Sequence, residues 1–209
     1  MERRFFDLCI DAYVPGRWYM SEPTLPDGQE VDDIWALTRG DRIEPPGRLC
    51  VPLSRTGRPL DYTTAGVGLT PILSARAAAV FREMASNDIQ LFPVEVDGQT
   101  DSYYLLVVAR TVRCIDDDAC TDTRYFTSEE GRPERVGEYR VVSGLRIDKS
   151  KVGDARVFKT WGWAPALIVD GEIKMALEQV GIAGGYLKRC DSEKALEPGL
   201  AGLRMLGSR

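Results

Sequence analysis

The side chains best suited to chemistry are carboxylates gathered in one stretch. Asp116, Asp117 and Asp118 are followed closely by Asp122, Glu129 and Glu130. Such a density of carboxylates can hold a metal ion, move protons or meet a cationic surface. The metal reading is weak, because three successive Asp side chains cannot all converge on one ion. A solvated loop and a docking surface for a basic protein both fit the pattern. A second acidic stretch, Asp27, Glu30, Asp32 and Asp33, stands beside Trp35 and has the make-up of an interaction arm. Trp161-Gly162-Trp163 is the other notable group. Exposed tryptophans anchor interfaces, whereas buried ones plug the end of a core.

A missing residue type narrows the chemistry further. The chain has no histidine among its 209 residues. That excludes a Ser-His-Asp triad, a Cys-His dyad, an HExxH zinc site and an imidazole switch built by this chain alone. An enzyme here would depend on carboxylates, Lys, Tyr, Cys or a cofactor. The five cysteines, Cys9, Cys50, Cys114, Cys120 and Cys190, form no CxxC pair. An odd count without a spacing pattern reads as reduced thiols in the cytoplasm. A redox pair at Cys114 and Cys120 is the alternative. Gly66-Val67-Gly68 lacks the Lys of a phosphate-binding loop. The expectation is therefore no cofactor and no metal.

Thirty-two acidic against 27 basic residues give a net charge of −5. Duplex nucleic acid is then a poor partner, since phosphate neutralisation supplies most of that affinity. No apolar run reaches the ~20 residues of a membrane span, and Asp7 and Asp11 interrupt any leader-like stretch. The expected location is cytoplasmic. A homo-oligomer stays open.

The elements that must position these groups follow from pattern. Arg3–Ile10 reads as a strand and Val14-Pro-Gly-Arg17 as a turn. Residues 21–48 are rich in Pro, Gly and Asp and read as an irregular excursion, with a short turn of structure near Ile34–Leu37. Arg48–Leu53 is a short strand, and Arg55–Gly68 carries loop chemistry, with Val67 and Leu69 packed. Ser74 caps a helix whose Ala77, Val80, Phe81 and Met84 form one apolar stripe. Ile89–Val96 is a strand, with Pro93 implying an edge or a bulge. Ser102–Ile115 is the strongest strand, and residues 116–134 an exposed acidic loop with a short strand at Arg124–Thr127. Glu138–Ile147 and Ala155–Trp161 are further strands. Asp170 caps a second helix, and Glu193–Leu206 reads as a weak third.

The two capped helices repeat one another. Ala77, Val80, Phe81 and Met84 correspond to Ile173, Ala176, Leu177 and Val180 at one constant offset, and each unit leads through an isoleucine (Ile89, Ile182) into a strand. The reading is a single α+β domain: a mixed or antiparallel sheet, two main helices packed on one common sheet, and an internal helix-strand repeat. Residues 1–60 would be a strand and irregular segment packed on a main domain at 61–209.

Several segments in this order also carry a resemblance. They are Pro71-Ile-Leu-Ser74, Ile89-Gln-Leu-Phe-Pro-Val-Glu-Val96, Ser102-Tyr-Tyr-Leu-Leu-Val-Val108, Val112-Arg-Cys-Ile-Asp116, Val157-Phe158, Ala166-Leu-Ile-Val-Asp170 and Gly181-Ile-Ala-Gly184. Over roughly residues 60–190 the chain resembles the immunity proteins of bacterial polymorphic toxin systems, of the myxobacterial toxin–immunity type. The resemblance implies a non-enzymatic role. Such a protein binds a cognate toxin domain, often a nuclease, and protects the producing cell and its kin. The resemblance brings no catalytic residues. A nuclease grips phosphate with Lys and Arg, so a carboxylate loop can occupy that cleft. Asp116, Asp117, Asp118, Asp122, Glu129, Glu130, Trp161 and Trp163 are the candidate toxin-binding residues. The competing reading is a carboxylate- or cysteine-dependent enzyme acting on a small molecule.

Overall fold

A computed structural model describes residues 3–191; the expected helix at Glu193–Leu206 lies outside them. Strands Phe5–Ile10 (β1), Tyr19–Met20 (β2), Leu49–Val51 (β3), Leu53–Arg55 (β4), Tyr62–Ala65 (β5) and Thr70–Ser74 (β6) lead into helix Ala75–Met84 (α1). Ile89–Val96 (β7), Tyr103–Val108 (β8), Thr111–Val112 (β9), Asp122–Tyr125 (β10) and Tyr139–Ser143 (β11) follow. Val157–Thr160 (β12), Trp163–Asp170 (β13), helix Gly171–Gln179 (α2) and Gly185–Arg189 (β14) complete the described chain. A 3-10 turn at Ile34–Leu37 punctuates the excursion after β2.

These elements form an α+β fold of two large mixed sheets and a ribbon. One sheet has seven strands in the order β3-β7-β8-β6-β5-β2-β4, the other five in the order β14-β1-β13-β12-β9, and β10 pairs with β11 alone. Local chemistry starts the helices where expected. The Ser74 hydroxyl accepts from the Ala77 N–H at 3.4 Å, and the Asp170 carboxylate accepts from Glu172 and Ile173 N–H at 3.1 and 2.9 Å. Each oxygen occupies amides that the first helical turn cannot pair.

The internal repeat exists, in a form different from expectation. β6 and β7 straddle β8, antiparallel to both, with α1 between them in sequence. β13 and β14 straddle β1 in the same way, with α2 between them. The molecule thus contains two split β-α-β units on two different sheets, not on one common sheet. Their helices share a central core, in which Ala77, Val80 and Phe81 meet Leu8, Leu106, Leu167, Ile173 and Leu177. Met84 and Ala176 pack at its margin, while Val180 falls beyond the end of α2 and is exposed.

Two outer cores cover the opposite faces. Leu105 and Val107 of β8 turn toward Trp18, Leu37, Leu49 and Ile72, while Leu106 and Val108 turn toward the helices. β13 divides likewise, with Leu167 and Val169 facing the helices and Ala166 and Ile168 facing Phe5, Ile147 and Phe158. Strands covered on both faces show continuous apolar runs rather than alternation.

Three further expectations need correction. Ser102–Ile115 is not one strand: β8 ends at Val108, Ala109 donates to the Asp88 carbonyl at 2.7 Å, and β9 joins the other sheet. Arg55–Gly68 contains β5, a Thr-rich strand hidden among turn residues. Val67 and Leu69 are exposed rather than packed, on a turn held by Glu22, whose carboxylate accepts from Val67 and Gly68 N–H at 2.6 and 3.1 Å. Pro93 lies where β7 has β8 beside it, just before β3 pairs with Val94–Val96.

Candidate functional site

The acidic loop is organised around Asp117. One of its carboxylate oxygens accepts from the Tyr139 hydroxyl at 2.8 Å and the other from the Tyr125 hydroxyl. The two rings lie 4.6 Å apart across the β10–β11 ribbon. Both phenols are held above the ordinary tyrosine range: Tyr125 by its bond to Asp117, Tyr139 by burial first and then by Tyr125 and Asp117. The turn beneath is closed by the Asp116 carbonyl, which accepts from Ala119 and Cys120 N–H at 3.1 and 3.0 Å.

The same ribbon meets the tryptophan pair. Tyr139 N–H donates to the Gly162 carbonyl at 3.0 Å, and Trp161 N–H donates to the Val112 carbonyl at 2.9 Å. The Arg113 guanidinium sits 3.6 Å over the Trp161 ring, a cation–π stack. The fold therefore brings the Asp116–Asp118 loop and Trp161 onto one surface. Trp163 instead packs against the outer core of the five-stranded sheet. Asp118 and Glu129 are exposed. Asp122 pairs with Arg124, and Glu130 with Arg140 while accepting the Thr127 N–H at 3.0 Å. Residues 113–140 hold eight carboxylates and five arginines, so the surface is acidic but interleaved. Arg113, Tyr125 and Tyr139 escaped the sequence reading, because nothing local marks a tyrosine as the partner of a carboxylate 22 residues away.

The second acidic stretch is largely spent on local turns. Asp27 accepts from Gln29 N–H, and Asp33 caps the 3-10 turn and pairs with Arg39. Trp35 beside it is exposed.

Two hollows stand out among the described residues. The larger, about 590 Å³, lies between Arg3, Arg4 and Phe6 and the start of α2. Several of its charged groups are already engaged: Arg156 pairs with Asp170 and Glu172, and Arg3 donates to the Gly153 and Ala155 carbonyls. The smaller, about 330 Å³, opens where β1, β13 and β14 meet β5, β6 and β11, with Asp7 and Lys159 in its lining. All five cysteines are free thiols. Burial pushes Cys9 up to about 11 and Cys114 up to about 12, and raises Cys120 and Cys190 as well. Thiols so placed are protonated and unreactive at neutral pH.

The sequence model of the immunity protein family (Imm11) matches residues 17–192. The chain belongs to this family. No curated protein matches it. The Imm11 span reaches further toward the N-terminus than the segments that carried the resemblance, and takes in the irregular excursion and β2–β4. Both the acidic ribbon and Trp161 lie within it. No helix among the described residues is long and apolar enough to cross a membrane.

Proposed function

We propose that this Imm11 protein binds a cognate toxin domain in the cytoplasm of the producing cell and blocks it stoichiometrically. The family match carries the immunity role. The placement of Asp116–Asp118, Tyr125, Arg113 and Trp161 on one surface supports that surface as the docking face. Trp, Tyr and Arg are the residue types that dominate interface energetics, and the surrounding carboxylates suit a basic toxin, such as a nuclease whose cleft grips phosphate. Asp117 serves as the fixed centre of this face, and Asp118 and Glu129 as its free charges.

The test uses an inactivated form of the cognate toxin domain, to be sought among the genes neighbouring this one, in a kinetic binding assay at two ionic strengths. Association should slow as salt rises. Asp118→Asn combined with Glu129→Gln should slow association several-fold and leave dissociation nearly unchanged, while Trp161→Ala should accelerate dissociation. An association rate indifferent to salt and to the double variant would remove the ribbon from the interface.

A further inference from the structure

We propose that the cleft lined by Lys159 is an anchor pocket of the docking face and receives one carboxylate side chain of the bound toxin. This rests on the toxin-binding reading and adds a specific contact to it. The cleft reaches the ribbon: Val142 and Gly144 at the β11 end and Trp163 line its wall. At its floor Lys159 is 4% exposed. An ammonium carries three N–H donors, and here one donates to the Ala164 carbonyl at 2.9 Å. No carboxylate among the described residues pairs with it. A buried cation that no carboxylate touches is costly to keep charged.

Asp7, which shares the cleft, does not discharge that cost. One of its oxygens accepts from Leu167 N–H at 3.2 Å. Two opposite charges that compensated each other would each be held in the charged form. Asp7 and Lys159 attract one another through space without touching, and burial outweighs that attraction at both: it lowers Lys159 to about 8 and raises Asp7. The pocket is an incomplete ion site, with Lys188 adding positive charge at its mouth. A carboxylate entering it would accept from the open donors of Lys159 and supply the missing counter-charge. A cationic hole beside the acidic ribbon also fixes the register of docking, since a misplaced partner leaves the hole empty.

The experiment measures binding of the same inactivated toxin domain, with thermal melts, for the wild-type protein, Lys159→Met and Lys188→Glu. Lys159→Met is expected to melt at or above the wild-type temperature and to dissociate at least tenfold faster. Lys188→Glu, at an exposed position, should fold normally and dissociate about fivefold faster. Wild-type kinetics in Lys159→Met overturns the pocket while leaving the toxin reading intact; no binding by the wild-type protein overturns both. Should Lys159→Met fail to fold, Lys188→Glu decides. A basic toxin steered by charge alone would bind that variant faster and at least as tightly, and this result sinks the proposal.

Discussion

Asp117 accepts from two phenols at once and so fixes the ribbon over the acidic loop. Asp117→Ala should therefore cost about 1–2 kcal/mol in denaturant unfolding, whereas Asp118→Asn should stay within about 0.5 kcal/mol. Lys159 gives a pH signature. Its amine is lowered to about 8 in the folded protein by burial, against an ordinary value near 10.5. Between these values the unfolded chain binds the additional proton, so stability rises with pH across that window, by roughly 3 kcal/mol at most. Asp7, Cys9, Tyr62, Tyr186 and Lys188 share the cleft, so the proper comparison is with Lys159→Met. Chemical melts from pH 7 to 10.5 should show wild-type stability gaining on Lys159→Met by that amount, while the raised thiols lower the stability of both proteins alike above about pH 9. The sequence exposed Asp117 and Trp161 as candidates because each stands in a conspicuous local motif. Lys159 stayed invisible, because the burial of a lysine within β12 depends on strands far away in the chain.

At the scale of elements, the helix starts were legible because capping is local. A hydroxyl or carboxylate three residues ahead of an apolar stripe needs no tertiary information. Phe81 is fully buried in the core between the two split units. Phe81→Ala should cost about 3–5 kcal/mol by loss of burial and by cavity formation, measured by equilibrium unfolding. Asp61 ties the units together. Its carboxylate accepts from Ser74 Oγ at 2.7 Å, from Arg76 Nε at 2.5 Å and from Ala183 N–H at 2.8 Å. Burial pushes Asp61 up, but Arg76, Ala183 and Ser74 outweigh it and hold the group below its usual range. Its stabilising effect is thus full above about pH 4 and is lost as pH falls through the lowered value. Asp61→Asn should cost about 2 kcal/mol at pH 7 and markedly less near pH 2. Strand boundaries were harder. Continuous apolar sequence says that a strand is covered on both faces but not which sheet holds it, so the crossing at Ala109 was hidden.

For the whole molecule, capped helices among apolar strands indicated an α+β chain, and the order of seven short segments indicated the immunity family. The division into two sheets was not legible. Pairing partners such as β1 and β14 are separated by almost the full described length. The structure has all five cysteines as free thiols, and titration of the denatured, unreduced protein should find five. Finding three or fewer would show disulfides that the structure lacks. The position of β1 has a temporal consequence. It lies outside the matched family span, yet it occupies the gap between β13 and β14 and contributes Phe5 and Leu8 to two cores. A strand made this early must wait for two made late, so its sheet cannot close until they have been synthesised. Non-local closure of this kind is slow, on the order of milliseconds to seconds even for small β-rich domains. Stopped-flow refolding should show Phe5→Leu slowing assembly less than it accelerates unfolding, the mark of a strand that docks late. For a cell facing an incoming toxin, protection would then be set by the stock of finished molecules already present, not by those still on the ribosome.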